Sequence, residues 1–179
     1  MGQYLEEIKR SMDYLAQNPK TVFLGQSIKY AGNVIYKTLE NVSRDRLIEM
    51  PVAEELQMGI STGLALQGWI PVTTYPRFDF LLLAFNQLVN HLDKMTLISH
   101  GKMNPKVIVK VMAGSTRPLD PGWQHKQNYV QELKTMCKTI EVIELLEPNQ
   151  IFEAHKKALE RTDRCSTVLV EYGDFLTEK

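Results

Sequence analysis

Apolar side chains at Tyr4, Leu5, Ile8, Met12 and Leu15 recur mostly at intervals of three or four, which predicts an amphipathic helix over residues 3–17, stopped by Asn18 and Pro19. The run Thr21-Val22-Phe23-Leu24-Gly25 reads as a short buried strand closing on glycine. Residues 29–42 form a mixed loop with a short helix, and 46–50 a second short strand. After Pro51, residues 53–67 have the pattern of a helix packed on several sides. Its small residues Gly59, Ser61, Gly63 and Ala65 permit close approach, although glycine weakens a helix taken alone. Residues 69–75 give a third strand, 79–91 a strongly apolar helix that can run on past Lys94, and 106–112 a fourth strand. Residues 113–127 follow no period and hold Gly114, Pro118, Pro121 and Gly122. They predict one long loop, and loops of that length inside a compact domain are usually functional. Helices over 129–138 and 149–161, with strands over 140–145 and 166–172, complete the pattern.

Strands alternating with helices some six times imply a three-layer α/β/α fold around a mostly parallel sheet. No repeat or low-complexity tract divides the chain, so residues 1–179 are expected to form one domain. Ligands of such sheets collect at the carboxyl ends of the strands. Glu54, Tyr75 and the 113–127 loop all follow strands and are expected on that edge.

Composition narrows the partners. Lys+Arg and Asp+Glu are both 21, which leaves no electrostatic case for nucleic acid or an anionic membrane. No apolar run approaches the roughly 18–20 residues of a membrane span, and the polar, helical start is not a secretory signal. Cys137 and Cys165 lie far apart and form no CxxC, so a disulfide framework and a zinc knuckle are not expected, and a reducing cytoplasm is.

The candidate chemistry sits near the strand ends. Glu54 reads either as a first-turn carboxylate favoured by the helix dipole or as a carboxyl group on the ligand edge tuned for proton transfer; Glu55 is its rival. Tyr75, Phe78 and Phe80 read either as core or as a platform on which a heteroaromatic ring stacks. His125 reads either as a solvated loop residue or as an acid, base or substrate donor. His91 sits late on a helix, His155 on a charged helical face and His100 near a flexible glycine, and none is spaced for a metal site. No GxGxxG after a strand, GxxxxGK[ST] or GxSxG occurs.

Taken in order, VFLGQSI, PVAEELQMGISTGLALQGWIPV, YPRFDFLLLAFNQLVNHLDK, WQHKQ, EVIELLEP and TVLVEYGD resemble the pyrimidine-binding domain of transketolase-type thiamine-diphosphate enzymes. The likeness is nearest to the beta subunit of the decarboxylase component of pyruvate and other 2-oxoacid dehydrogenases, without its carboxyl-terminal domain. The resemblance implies a catalytic role for Glu54, whose carboxyl group shares a proton with the ring nitrogen of the cofactor's aminopyrimidine. It implies that Phe80 stacks on that ring, with Tyr75 and Gln26 also against the cofactor, and that His125 donates to the substrate. Gln26 stands where the family usually places an acid that helps connect active sites, and the loop with Arg117 and Asp120 departs from the family's glycine-rich form.

The family's Gly-Asp-Gly stretch with its Asn, which holds magnesium and the diphosphate, has no counterpart here. The resemblance therefore implies a split site completed by a separate alpha-type, diphosphate-binding subunit that carries Mg2+. A homodimer within an α2β2 heterotetramer is the simplest arrangement, with the Gly- and Ala-bearing face of helix 53–67 and helix 79–93 as contact surfaces. The implied reaction is 2-oxoacid decarboxylation or transfer of a two-carbon ketol unit. The alternative is a non-catalytic scaffold or regulatory subunit that keeps the fold only.

Overall fold

A computed structural model describes residues 2–117, 120–163 and 165–176; Pro118 of the expected loop lies outside them. Six strands form one sheet in the order β2-β1-β3-β4-β6-β5, every neighbouring pair parallel. They are β1 (Thr21–Gly25), β2 (Leu47–Glu49), β3 (Ile70–Tyr75), β4 (Ile108–Ala113), β5 (Glu141–Glu144) and β6 (Thr167–Tyr172). All six expected strands are present, and their near-continuous apolar composition follows from helices covering both faces.

On one face lie α1 (Gln3–Gln17), the short α2 (Val34–Thr38) and α7 (Pro148–Glu160), whose Ile8, Met12, Leu15 and Ile151 pack on Phe23, Val72, Ile108 and Leu169. On the other lie α3 (Glu54–Leu66), α4 (Phe78–Leu81), α5 (Asp93–Ile98) and α6 (Val130–Met136), where Met58, Phe78, Leu88 and Leu133 pack on Tyr75, Val109, Val111 and Val170. The six-strand parallel sheet between two helical layers is the α/β/α arrangement read from the alternation.

Two features depart from the sequence reading. The expected apolar helix over 79–91 is not regular: between α4 and α5 it passes through a 3-10 turn (Leu82–Ala84) and a π-helical segment (Asn86–Leu92). Its end is pinned by buried Asp93, which accepts backbone N–H bonds from Lys138, Thr139 and Ile140 at 2.7–3.0 Å and pairs with Lys94. His155, assigned to a charged helical face, is instead wholly buried on the stripe Ile151, Ala154, His155, Ala158 of α7. Nearby, buried Lys110 of β4 lies 3.2 Å from Glu171 of β6.

The topology sets where a ligand can bind. The chain leaves β1 for β2 on one side and leaves β3 for β4 on the other, so a crevice opens beyond the carboxyl ends of β1 and β3. Gln26 follows β1, Tyr75 ends β3, and Glu54 opens the helix after β2.

Candidate active site

Gly25 closes β1 where the backbone of β3 passes very near: a Cβ here would lie 2.9 Å from the Thr74 carbonyl oxygen and 3.0 Å from Ile28 Cγ2. Beyond it the chain turns sharply, with Ser27 at φ 60°. The Glu49 carboxylate, at the end of β2, holds the turn by accepting the N–H groups of Ser27 (2.5 Å) and Lys29 (2.9 Å). This places Gln26 so that its Nε2 donates to Glu54 Oε1 at 3.1 Å.

Glu54 is the first residue of α3 and is 5% exposed. Its position is fixed from three sides. Gln26 holds the carboxylate, and the Tyr75 hydroxyl donates to the Glu54 backbone carbonyl at 3.2 Å. One turn on, buried Gln57 Nε2 donates to Thr73 Oγ1 (2.8 Å) and to the Thr74 carbonyl (3.0 Å), tying α3 to β3. Glu55 faces away: it is exposed, and the Asn86 and Gln87 amides that donate to its Oε1 hold its carboxyl below the usual range. Burial pushes the Tyr75 phenol up, so it stays protonated and donating.

A second group lies at the ends of β3 and β4. Phe80 and His125 meet edge to face, with ring centroids 5.5 Å apart, and both are partly exposed. His125 closes a 3-10 turn (Trp123–His125) in the long loop, and Arg77 anchors that turn by donating through Nη1 to the His125 carbonyl (3.0 Å) and the Gly114 carbonyl (3.3 Å). Asp79 Oδ2 accepts from Gln127 N at 3.2 Å. At the loop's start, Asp174 accepts from the N–H groups of Thr116 and Arg117 at 2.6 and 2.9 Å. Burial pushes this carboxyl up, and those N–H bonds outweigh it and hold it low. Gly173 gives the room, since a Cβ there would come within 2.8 Å of Ser115 Cβ. Asp120 pairs with Lys126 at 2.7 Å and caps Gly122 N at 2.9 Å.

The structure thus gathers the sequence candidates into two groups at one sheet edge. Gln26, Glu54 and Tyr75 are hydrogen-bonded together; Phe80 and His125 are in ring contact. Of the aromatics weighed as core or platform, Tyr75 and Phe78 are buried, and Phe78 packs edge to face on Tyr129; Phe80 alone keeps part of its ring accessible. His91 and His100 are exposed, and among the described residues no cluster of His, Cys, Asp and Glu suits a metal ion. Sequence reasoning missed Arg77, Glu49, Gln57 and Asp174, which hold the turns, the helix and the loop that carry the candidates.

Arg77→Ala is expected to raise amide exchange over residues 114–117 and 123–127 by one to two orders of magnitude, since it removes two charge-assisted bonds worth about 1.5–3 kcal/mol each. Exchange mass spectrometry measures this directly. Unchanged exchange would mean that Asp174 and Asp79 hold the loop alone.

Residues 9–173 match the family described as the transketolase pyrimidine binding domain. Over 126 residues the chain is 30% identical to the pyruvate dehydrogenase E1 component subunit beta of Gracilaria tenuistipitata var. liui, covering 68% of this chain and 38% of that protein. Over 111 residues it is 30% identical to the 3-methyl-2-oxobutanoate dehydrogenase subunit beta of Mycobacterium tuberculosis (strain CDC 1551 / Oshkosh), covering 60% of this chain and 32% of the relative. The chain therefore spans about a third to two fifths of these curated relatives. Among solved structures, a split-gene transketolase described as an inactive beta4 tetramer superposes with a TM-score of 0.73 at 19% identity, over 94% of this chain and 51% of that one, which establishes the shared fold. No helix among the described residues is long and apolar enough to cross a membrane.

Proposed function

The chain belongs to the transketolase pyrimidine-binding domain family and is related to beta subunits of pyruvate dehydrogenase E1, and from this premise we propose that it is the pyrimidine-binding half of a split thiamine-diphosphate enzyme. The observation that carries the reading is the Glu54 carboxyl group, 5% exposed at the crevice beyond β1 and β3 and held there by Gln26. An aminopyrimidine needs a carboxyl group that can share a proton with a weakly basic ring nitrogen away from bulk water. A nearly buried, oriented glutamate at the strand-end crevice fits that need.

In this reading Glu54 binds the pyrimidine and holds the shared proton, and Phe80 offers its ring for stacking. Tyr75 and Gln26 act on the cofactor through Glu54, the one at its backbone carbonyl and the other at its carboxylate. His125, kept beside Phe80 by Arg77, donates to the substrate. When bound, the cofactor supplies a nucleophilic carbon and an electron sink. The substrate is a 2-oxoacid or a ketose.

The diphosphate and its Mg2+ belong to a separate alpha-type subunit, in an α2β2 heterotetramer within the cytoplasm, and residues 1–179 act as one domain. Two observations support a partner. The relatives bear the names of beta subunits, and the split-gene transketolase tetramer is described as inactive. Apolar side chains are also exposed just before α3, on α3 and in the stretch after α4: Val52 at 82%, Leu56 at 53% and Leu83 at 63%. Gly63 shares that exposure, whereas Ala65 packs inward.

The test is reconstitution of the chain with a diphosphate-binding partner, thiamine diphosphate and magnesium, with turnover of a 2-oxoacid or ketose followed alongside assembly by sedimentation. Glu54→Gln keeps the shape of the side chain but cannot exchange the proton, so it is expected to assemble normally and to lose at least about a hundredfold in turnover, near the lower end of what proton-transfer groups contribute. Equal activity of the variant and the parent would assign the chain to the scaffold class instead.

A further inference from the structure

Gln26 contributes a neutral amide where the Glu54 carboxyl group has its one hydrogen-bonding side chain among the described residues. The amide donates to Oε1, and no side chain among the described residues donates to Oε2. The two nearest carboxylates in sequence are turned elsewhere: Glu49, at the end of β2, is taken up by the N–H groups of Ser27 and Lys29, and Glu55, next in α3, by Asn86 and Gln87. Of these three carboxyl groups only that of Glu54 is buried, with Oε1 engaged by Gln26 and no donor to Oε2 among the described residues.

The placement of Gln26 is built rather than incidental. Gly25 lets β1 approach β3 to a distance that a Cβ would block, and the left-handed Ser27 is tied by Glu49 immediately afterwards, so the residue between has little freedom. We infer that Gln26 is a positioning residue: its amide selects Oε2 of Glu54 as the working oxygen and keeps the site free of a second carboxylate. The inference deepens the proposed function and rests on Glu54 being the group that meets the pyrimidine. Its physical content, an oriented and isolated carboxyl group, can be tested without cofactor or partner.

Gln26→Glu is nearly isosteric and puts a second carboxyl group about 3 Å from Glu54. Two carboxylates at that separation do not both ionise freely, and the pair retains a proton to higher pH. In the full chain with 13C-labelled glutamate, the later of the pair's two titration steps, followed at both carboxyl signals, is expected at least one pH unit above the ordinary carboxylate range, a tenfold or greater gain in proton affinity. Adding Glu54→Gln should return it to that range. A residue-26 side chain turned away from the Glu54 carboxyl group would show no such step.

Ordinary titration of both carboxyl signals with Glu54 present would overturn the inference. Should the like charges prevent folding, Gln26→Ala provides the second arm. Its crystal structure is expected to show the Glu54 carboxyl group displaced or in more than one rotamer, and an unmoved carboxyl group would equally overturn the proposal. Failure of either arm leaves the turnover test of Glu54→Gln untouched, so the two readings fail separately.

Discussion

Asp93→Ala is expected to destabilise the protein by about 3–5 kcal/mol, the range for breaking a buried, fully engaged ionic group. The carboxylate is wholly buried and accepts the N–H groups of Lys138 (2.9 Å), Thr139 (2.7 Å) and Ile140 (3.0 Å) as well as the Thr139 hydroxyl. Alanine leaves those donors without an acceptor where water has poor access, at roughly 1–3 kcal/mol per orphaned group, less whatever the segment recovers by relaxing. Asp93→Asn keeps one acceptor oxygen but turns an NH2 toward the same donors, and should fall between. Urea unfolding measures both as a drop in midpoint at constant slope. A loss under 1 kcal/mol for the alanine variant would show that the 137–140 segment finds other partners.

The same carboxylate sets a pH dependence. Burial pushes it up, and Lys94 with the three N–H groups outweighs burial and leaves it below the ordinary value of 3.8. Its contribution is therefore complete above that value and is lost as pH falls through the lower, folded-state value. Because Asp93 ends the π-helical segment that follows α4, loosening it also frees the helix that carries Phe80.

What the sequence disclosed and what it hid divide along physical lines. The strands and most helices were legible because a sheet covered on both faces demands runs such as VIVKVMA and TVLVEY, and glycine or proline punctuates them. The edge bearing Glu54, Tyr75 and the long loop followed from their places after strands in a parallel sheet. The family likeness could name residue types at matching places but not the contacts that hold them. Arg77, Glu49, Gln57 and Asp174 act through partners distant in sequence, and nothing local marks them. The π-helical segment was equally hidden, since its residues would suit a regular helix. His155 was readable in principle: Ile151, Ala154 and Ala158 define a buried stripe at helical spacing, and His155 falls within it, but the flanking Glu153, Lys156 and Lys157 drew it to the charged side.

Below neutral pH that buried histidine should become a main source of acid instability, with a total effect of about 5 kcal/mol between its two protonation limits. Burial, reinforced by the nearby Lys110 cation and opposed by the Ile151 carbonyl, lowers it from 6.5 to about 3. Nδ1 lies 2.8 Å from the Ile151 carbonyl and carries the proton there, while Nε2 is buried with no partner among the described residues, so an added proton would be neither solvated nor hydrogen-bonded there. Glu171, the acid of the cluster, is already engaged with Lys110 at 3.2 Å. The unfolded chain takes up the proton as pH falls through 6.5 and the folded core does not, so stability declines from there downward, approaching about 1.4 kcal/mol per pH unit. Between pH 7 and 5, above most carboxylate titration, the loss from this residue should be about 2 kcal/mol. Urea midpoints over that interval should fall steeply for the parent chain and less so for His155→Gln, whose absolute stability is lower but whose side chain does not titrate. Parallel slopes would mean that the imidazole finds a proton-accepting route in the folded core. Lys110 and Glu171 lie on β4 and β6, and the residues just past those strands, Gly114 and Gly173, seat the loop bearing His125. Acid loss of this core is thus expected to release the candidate site from below.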